Sequence, residues 1–163
     1  MNKNFKKPKE SAIETRYLVM PEHTNQRGTI FGGVIMSWID IVACMVAERH
    51  SGMRVVTVSI DTLTFDAPAF IGDHIILKSS VNYVGNTSME IGVKVIKENP
   101  ITGESVQTTT AHLTMVALDD NSKPTKVPQI LMETDDEKRR YENAKIRVMA
   151  RKELANKIKK GKD

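Results

Sequence analysis

The stretch that decides the fold runs from Phe31 to His50, FGGVIMSWIDIVACMVAERH. It has no proline, and after Gly32-Gly33 it consists mainly of residues that favour helix. Val34, Ile35, Trp38, Ile39, Ile41, Val42, Met45 and Val46 together cover most of a helical circumference. A helix apolar nearly all round is a buried helix. Gly52 stands where a left-handed C-terminal cap is expected.

Downstream of this helix the hydrophobic period changes to two and β-branched residues dominate, which predicts four strands. The first, Arg54 to Phe65, sets Val56, Val58 and Ile60 on one face but Leu63 and Phe65 on the other, so a β-bulge is expected near Asp61-Thr62. Asp73 to Val84, Ser88 to Glu98 and Glu104 to Asp119 are the others. The turns Gly85-Asn86-Thr87 and Asn99-Pro100-Ile101-Thr102-Gly103 are short enough to make neighbours antiparallel. Upstream, Ala12 to Val19 is a further strand candidate, giving β, α, then a four-stranded meander. One long apolar helix and one antiparallel sheet bury each other only if the sheet wraps the helix, an α+β layer fold. From Asp135 the chain is rich in helix formers, with acids in the first turn and lysines in the last, as the helix dipole favours. Its stripe of Tyr141, Ala144, Val148, Ala155 and Ile158 is narrow, so this helix is expected to dock weakly.

The chain has 163 residues, which suits one domain with an appendage. With 40% hydrophobic and 27% charged residues it can bury an ordinary core, which argues against wholesale disorder. The longest apolar stretch, Ile35 to Val46, is broken by Ser37 and Asp40 and falls short of the ~18 to 20 residues needed to span a bilayer, so no membrane association is expected. The basic N-terminus leads into no apolar run or cleavage site, so a cytoplasmic location is expected. A lone cysteine, Cys44, and four scattered histidines suggest neither disulfide nor metal site. The net charge of +4 belongs to the tail: residues 134–163 hold eleven Lys/Arg against six Asp/Glu, and the rest is near neutral. Those interspersed acids, without Trp or Phe, favour a docking helix over a nucleic-acid arm.

Asp40 is the odd residue of the apolar helix, because a buried carboxylate costs several kcal/mol, on the order of 3 to 5, unless it is bonded or useful. It equally suits a helix edge facing solvent or a second subunit. Before the helix, Pro21 to Gly33 is a loop with three glycines ending at a helix N-terminus, where free backbone N–H groups can hold an anion or oxyanion. Gly32-Gly33 can instead serve tight helix-to-sheet packing, and Asn25 can be a turn residue. His23 is either a site residue or a loop contact, His112 and Cys44 read as structural, and no G-x-S-x-G elbow is present.

The run N-x-x-G-x-x-F-G-G-x-x-x-x-x-x-D, here Asn25, Gly28, Phe31, Gly32, Gly33 and Asp40, resembles the signature of hotdog-fold acyl-CoA thioesterases of the cytosolic acyl-CoA hydrolase type. The resemblance continues through Val56-Thr57, Phe65, Ala67-Pro68, Gly72-Asp73, Gly85-Asn86-Thr87-Ser88 and Met115 to Asp119. It covers roughly residues 10–130 as a thioesterase domain, with 131–163 as a basic helical extension. It implies the hotdog fold and hydrolysis of acyl-CoA to free acid and CoA, with no cofactor, CoA being part of the substrate. It further implies Asp40 as general base or nucleophile and Asn25 positioning water or thioester, paired across a dimer. Gly32, Gly33 and Val34 N–H groups would hold the oxyanion. Gly85, Asn86, Thr87 and Ser88 would contact CoA, with Arg139, Arg140 or another tail cation on its 3′-phosphate. A homo-oligomer, dimers assembled further into a trimer of dimers (a hexamer), is also implied. The rival readings are a hotdog dehydratase, which would carry a histidine in place of Asn25, and a non-catalytic acyl-CoA-binding protein; the Asn25/Asp40 pair discriminates against both.

Overall fold

The computed structural model describes residues 4–160; the ends of the basic N-terminal stretch and of the 131–163 extension lie outside these residues. In chain order the elements are β1 (Phe5–Lys6), α1 (Pro8–Ser11), β2 (Ile13–Leu18), a 3-10 turn (Pro21–His23), α2 (Gly32–Ser51), β3 (Arg54–Ile60), β4 (His74–Val84), β5 (Ser88–Glu98), β6 (Ser105–Leu118), β7 (Gln129–Ile130) and α3 (Asp135–Lys160). Five strands form one antiparallel sheet in the order β2-β4-β5-β6-β3, while β1 and β7 pair separately and in parallel.

Cross-strand register explains the core. Met89 faces Met115, Ile91 faces Leu113 and Val93 faces Ala111, all fully or almost fully buried, and this row packs against Ile39, Val42 and Val46 of α2. The period-two reading therefore selects the right concave face of β5 and β6, and of β4 through Ile75, Leu77, Ser79 and Val81; Tyr83, expected on that face too, is turned outward against Tyr141 by a register shift after Val81, and Val84 enters the core instead. Gly52 closes α2 as expected, at φ 71°, its N–H donating to Glu48 O at 2.7 Å.

Four expectations are corrected. The strand predicted over Arg54 to Phe65 stops at Ile60, and its register shift lies between Thr57 and Ser59 rather than near Asp61-Thr62. With Val58 as the extra residue, Val55, Thr57 and Ile60 pair with inward-facing Ala117, Met115 and Leu113, whereas Val56 points outward. Secondly, the four strands are not one meander: β3 pairs with β6 at one edge and β4 lies beside β2 near the other. The short-turn argument holds only for hairpins, and the residues between Ile60 and His74 cross over the start of α2, with Ile30 N–H on Ala69 O at 2.8 Å.

Thirdly, α2 is not buried all round. Met36, Ile41 and Met45 are each more than 40% exposed, because five strands wrap only one side of the helix. Lastly, the tail docks through charge as much as through its apolar stripe. Ala144 is fully buried and Tyr141 packs on Tyr83, but Arg147 reaches the buried Glu90 at 2.6 Å, and Arg151 bridges Glu90 (3.2 Å) and Asp61. These contacts lay α3 across the convex face of the sheet, away from α2.

Candidate active site

Asp40 projects from the open side of α2, where the parity of β3 brings a threonine to meet it. Thr57 Oγ1 donates to Asp40 Oδ1 at 2.7 Å, and Met115 Sδ lies 3.2 Å from the same hydroxyl oxygen. Asp40 is half-buried and Thr57 exposed, so the pair opens onto a surface. The helix neighbours of Asp40, Met36 and Ile41, are exposed apolar residues. At Cys44, one turn along, burial, then the Glu48 and Asp40 carboxylates, push the thiol above its ordinary value, which disfavours the thiolate.

The loop before α2 is tightly bonded. Asn25 N–H donates to Thr29 O at 2.8 Å, Gly28 N–H donates to Asn25 O at 3.0 Å, and Gly28 takes φ 74°, a conformation that favours glycine. The Asn25 side chain completes the turn, Oδ1 accepting from Arg27 N–H at 2.8 Å and Nδ2 donating to Thr29 Oγ1 at 2.9 Å. No hydrogen bond joins Asn25 to Asp40 among the described residues. His23 is held by the turn as well: its Nδ1 accepts from Met20 N–H at 3.1 Å and its ring meets Trp38 edge-on. That is the loop contact.

At the N-terminus of α2, Val34 N–H donates to Phe31 O at 2.9 Å, which removes Val34 from the expected oxyanion donors. Gly32 and Gly33 keep that potential as the first two residues of the helix. Their packing partners are phenylalanine rings rather than the sheet. A Cβ on Gly32 would touch the Phe65 ring at 3.4 Å, and one on Gly33 would run into the Phe31 ring.

The Gly85–Ser88 turn is anchored from below: Gly85 N–H bonds Ser88 O at 2.8 Å, and the carbonyls of Asn86 and Thr87 accept from Val127 and Ala117. Asn86 borders a broad cavity of about 1140 Å³ whose wall also carries Lys126. Arg139 and Arg140 are not gathered to this turn. Both pair with Asp136, and Arg140 also donates to Ser80 Oγ at 3.0 Å on the convex face. Thr57 entered the sequence reading only as part of the resemblance, without a site role, and Lys126 escaped it. The signal for Thr57 was a hydroxyl in a Val/Ile run, hidden because the expected parity turned Val56 and Val58 inward. Lys126 stood in a loop with nothing to aim it. No group of three metal-ligating side chains occurs among the described residues, and no described helix is long and apolar enough to cross a membrane.

The thioesterase superfamily model matches residues 27–104. An uncharacterized acyl-CoA thioester hydrolase of Bacillus subtilis is 43% identical over 144 residues, which span 88% of this chain and 84% of that one. The chain belongs to the hotdog-fold acyl-CoA thioesterase family. Among solved members of this family, an apo-hexameric acyl-CoA thioesterase superposes with TM-score 0.90 at 42% identity, over 93% of this chain and 97% of that one. An acyl-CoA hydrolase from Staphylococcus aureus in complex with butyryl-CoA, CoA and CoA disulfide gives 0.89 at 36% identity, over 96% and 95%. Alanine variants of that enzyme at an Asp, an Asn and a Thr have also been solved. As in those relatives, the hotdog sheet of this family member wraps one central helix.

Proposed function

We propose that the chain hydrolyses acyl-CoA thioesters to free acid and CoA, with Asp40 as the group that activates water. The observation that carries this reading is the 2.7 Å bond from Thr57 Oγ1 to Asp40 Oδ1, which holds one carboxylate oxygen and leaves Oδ2 for water. Sequence spacing supports it. In the S. aureus enzyme the replaced Asn precedes the replaced Asp by fifteen positions and the Asp precedes the replaced Thr by seventeen; Asn25, Asp40 and Thr57 keep both intervals.

In the proposed reaction Asp40 takes a proton from water as its oxygen attacks the thioester carbon. The oxyanion that forms is held by the Gly32 and Gly33 N–H groups, and its collapse breaks the C–S bond, the thiolate of CoA then recovering a proton. Gly85, Asn86, Thr87 and Ser88 contact the CoA moiety, with Lys126 and Lys6 as cations lining the cavity that Asn86 borders.

The site is shared between chains in this reading. The free edge of β3, with Val58 61% exposed, and the exposed side of α2 form an apolar surface that a second copy covers by edge-to-edge pairing. Asn25, which makes no bond to its own Asp40, then approaches the partner's carboxylate. Dimers of this kind assemble further into a hexamer, like the solved hexameric relative. The test is thiol release from acyl-CoAs of graded chain length by the purified protein and by Asp40→Asn. Turnover falling by about two to four decades in the folded variant supports the mechanism, and undiminished turnover overturns it.

A further inference from the structure

The crossover between β3 and β4, residues 61–73, closes over the start of α2, and its backbone is held at few points. Asp61 N–H donates to His112 O at 3.0 Å and Asp66 N–H donates to Thr108 O at 2.8 Å, both on β6, while Ala69 O accepts from Ile30 N–H. Among the described residues, Asp61 is the only member of 61–69 whose side chain makes a hydrogen bond or ion pair. Phe65 stands midway between the Asp61 and Ala69 anchors, and its ring lies against Gly32, 3.4 Å from where a Cβ would be.

The partner of Asp61 comes from far along the chain. Arg151 of α3 bridges the Asp61 and Glu90 carboxylates. Glu90 is fully shielded and is bound by Arg147 as well, at 2.6 Å, so the Arg151 guanidinium is fixed from the sheet side and does not follow Asp61 outward. A planar fork shared between two carboxylates holds their relative geometry. Because α3 lies on the convex face, away from α2, this grip reaches the site only along the crossover.

We infer that Arg151 is a positioning residue for the thioesterase reaction: by gripping Asp61 it fixes the crossover, which seats the Phe65 ring on Gly32 and keeps that N–H shielded from water and aimed at the oxyanion. The inference rests on the oxyanion role given to Gly32 above. Donors of this kind lose their advantage when they are free to reorganise or are wetted.

Asp61→Ala removes the grip and leaves both arginines on Glu90, so that buried charge stays paired. Amide hydrogen exchange reads the crossover without any turnover: exchange over residues 61–70 is expected to speed up about tenfold, with β4 and β5 unchanged. Thiol release from saturating acyl-CoA, assayed well below the denaturation midpoint, is expected to give kcat about tenfold lower with KM nearly unchanged. In a Phe65→Ala background the same substitution is expected to cost nothing further, whereas a merely structural loss of active protein lowers kcat by the same factor in both backgrounds. Arg151→Met is expected to reproduce both effects and to add nothing to Asp61→Ala. Unchanged exchange over the crossover, unchanged kcat, or equal factors in the two backgrounds overturns the proposal. A wild type that releases no thiol refutes the thioesterase reading and the positioning role with it, while the exchange arm decides the grip on the crossover separately.

Discussion

Replacing Thr57 by valine removes one hydroxyl and little else. Valine has nearly the same shape and is equally suited to a strand, and Thr57 sits on an exposed edge strand, so the fold is expected to survive. What disappears is the 2.7 Å hydrogen bond to Asp40 Oδ1. Hydrogen bonds to charged groups are worth about 1.5–3 kcal/mol, and the exposure of Thr57 places this one at the lower end. If the bond orients the carboxylate in the transition state, about 1.5 kcal/mol corresponds to a little over tenfold in kcat, with KM nearly unchanged. Thiol release under saturating acyl-CoA gives kcat, and the denaturation midpoint of the same preparation reports the fold. Thr57→Ser, which restores the hydroxyl, is expected to recover kcat to within about threefold, an outcome that a purely packing role would not produce. Full kcat in Thr57→Val would refute the positioning role.

Mixing inactive Asn25→Ala chains with inactive Asp40→Asn chains is expected to restore activity at sites that inherit both native residues; no recovery after verified subunit exchange defeats the shared site. Deleting residues 134–163 would strip Arg147 and Arg151 from Glu90, which is fully shielded in the chain, and expose the convex face. A clear fall in the urea midpoint is expected, and an unchanged midpoint would show that α3 contributes nothing to stability. His50 is almost fully buried, and its Nε2 sits 3.1 Å from Pro128 O, an acceptor only, so Nε2 carries the proton and Nδ1 accepts from Ser11 Oγ at 3.2 Å. Burial first, then the charge of Lys6, lowers its pKa, and burial with Arg147 nearby lowers that of His112. The unfolded chain thus binds these protons more tightly, so stability is full above about pH 6.5 and is lost as pH falls below it. Thermal midpoints between pH 8 and 5 check this, and an unchanged slope in His50→Gln would remove His50 from the account.

Sequence pattern alone determined the helix from Phe31 to His50, its glycine cap, the concave faces of β5 and β6 and of β4 as far as Val81, and the candidate carboxylate, because each is a local matter of period and backbone freedom. Asp40 stood out for the same reason, as one charge in an apolar run. The tertiary structure decided everything that depends on which distant segments meet. The placement of β3 at the far edge depends on its long crossover, a choice that hydrophobic period does not encode. The position of the bulge at Val58 decides that Thr57 turns towards Asp40, and a one-residue error in parity hides it. Val34 lost its oxyanion role to a bond within the helix start, and Arg139 and Arg140 went to the convex face because α3 is anchored there by Glu90 and Asp61. Charges on a surface helix have no period that says which wall they will face; only the docked geometry supplies that.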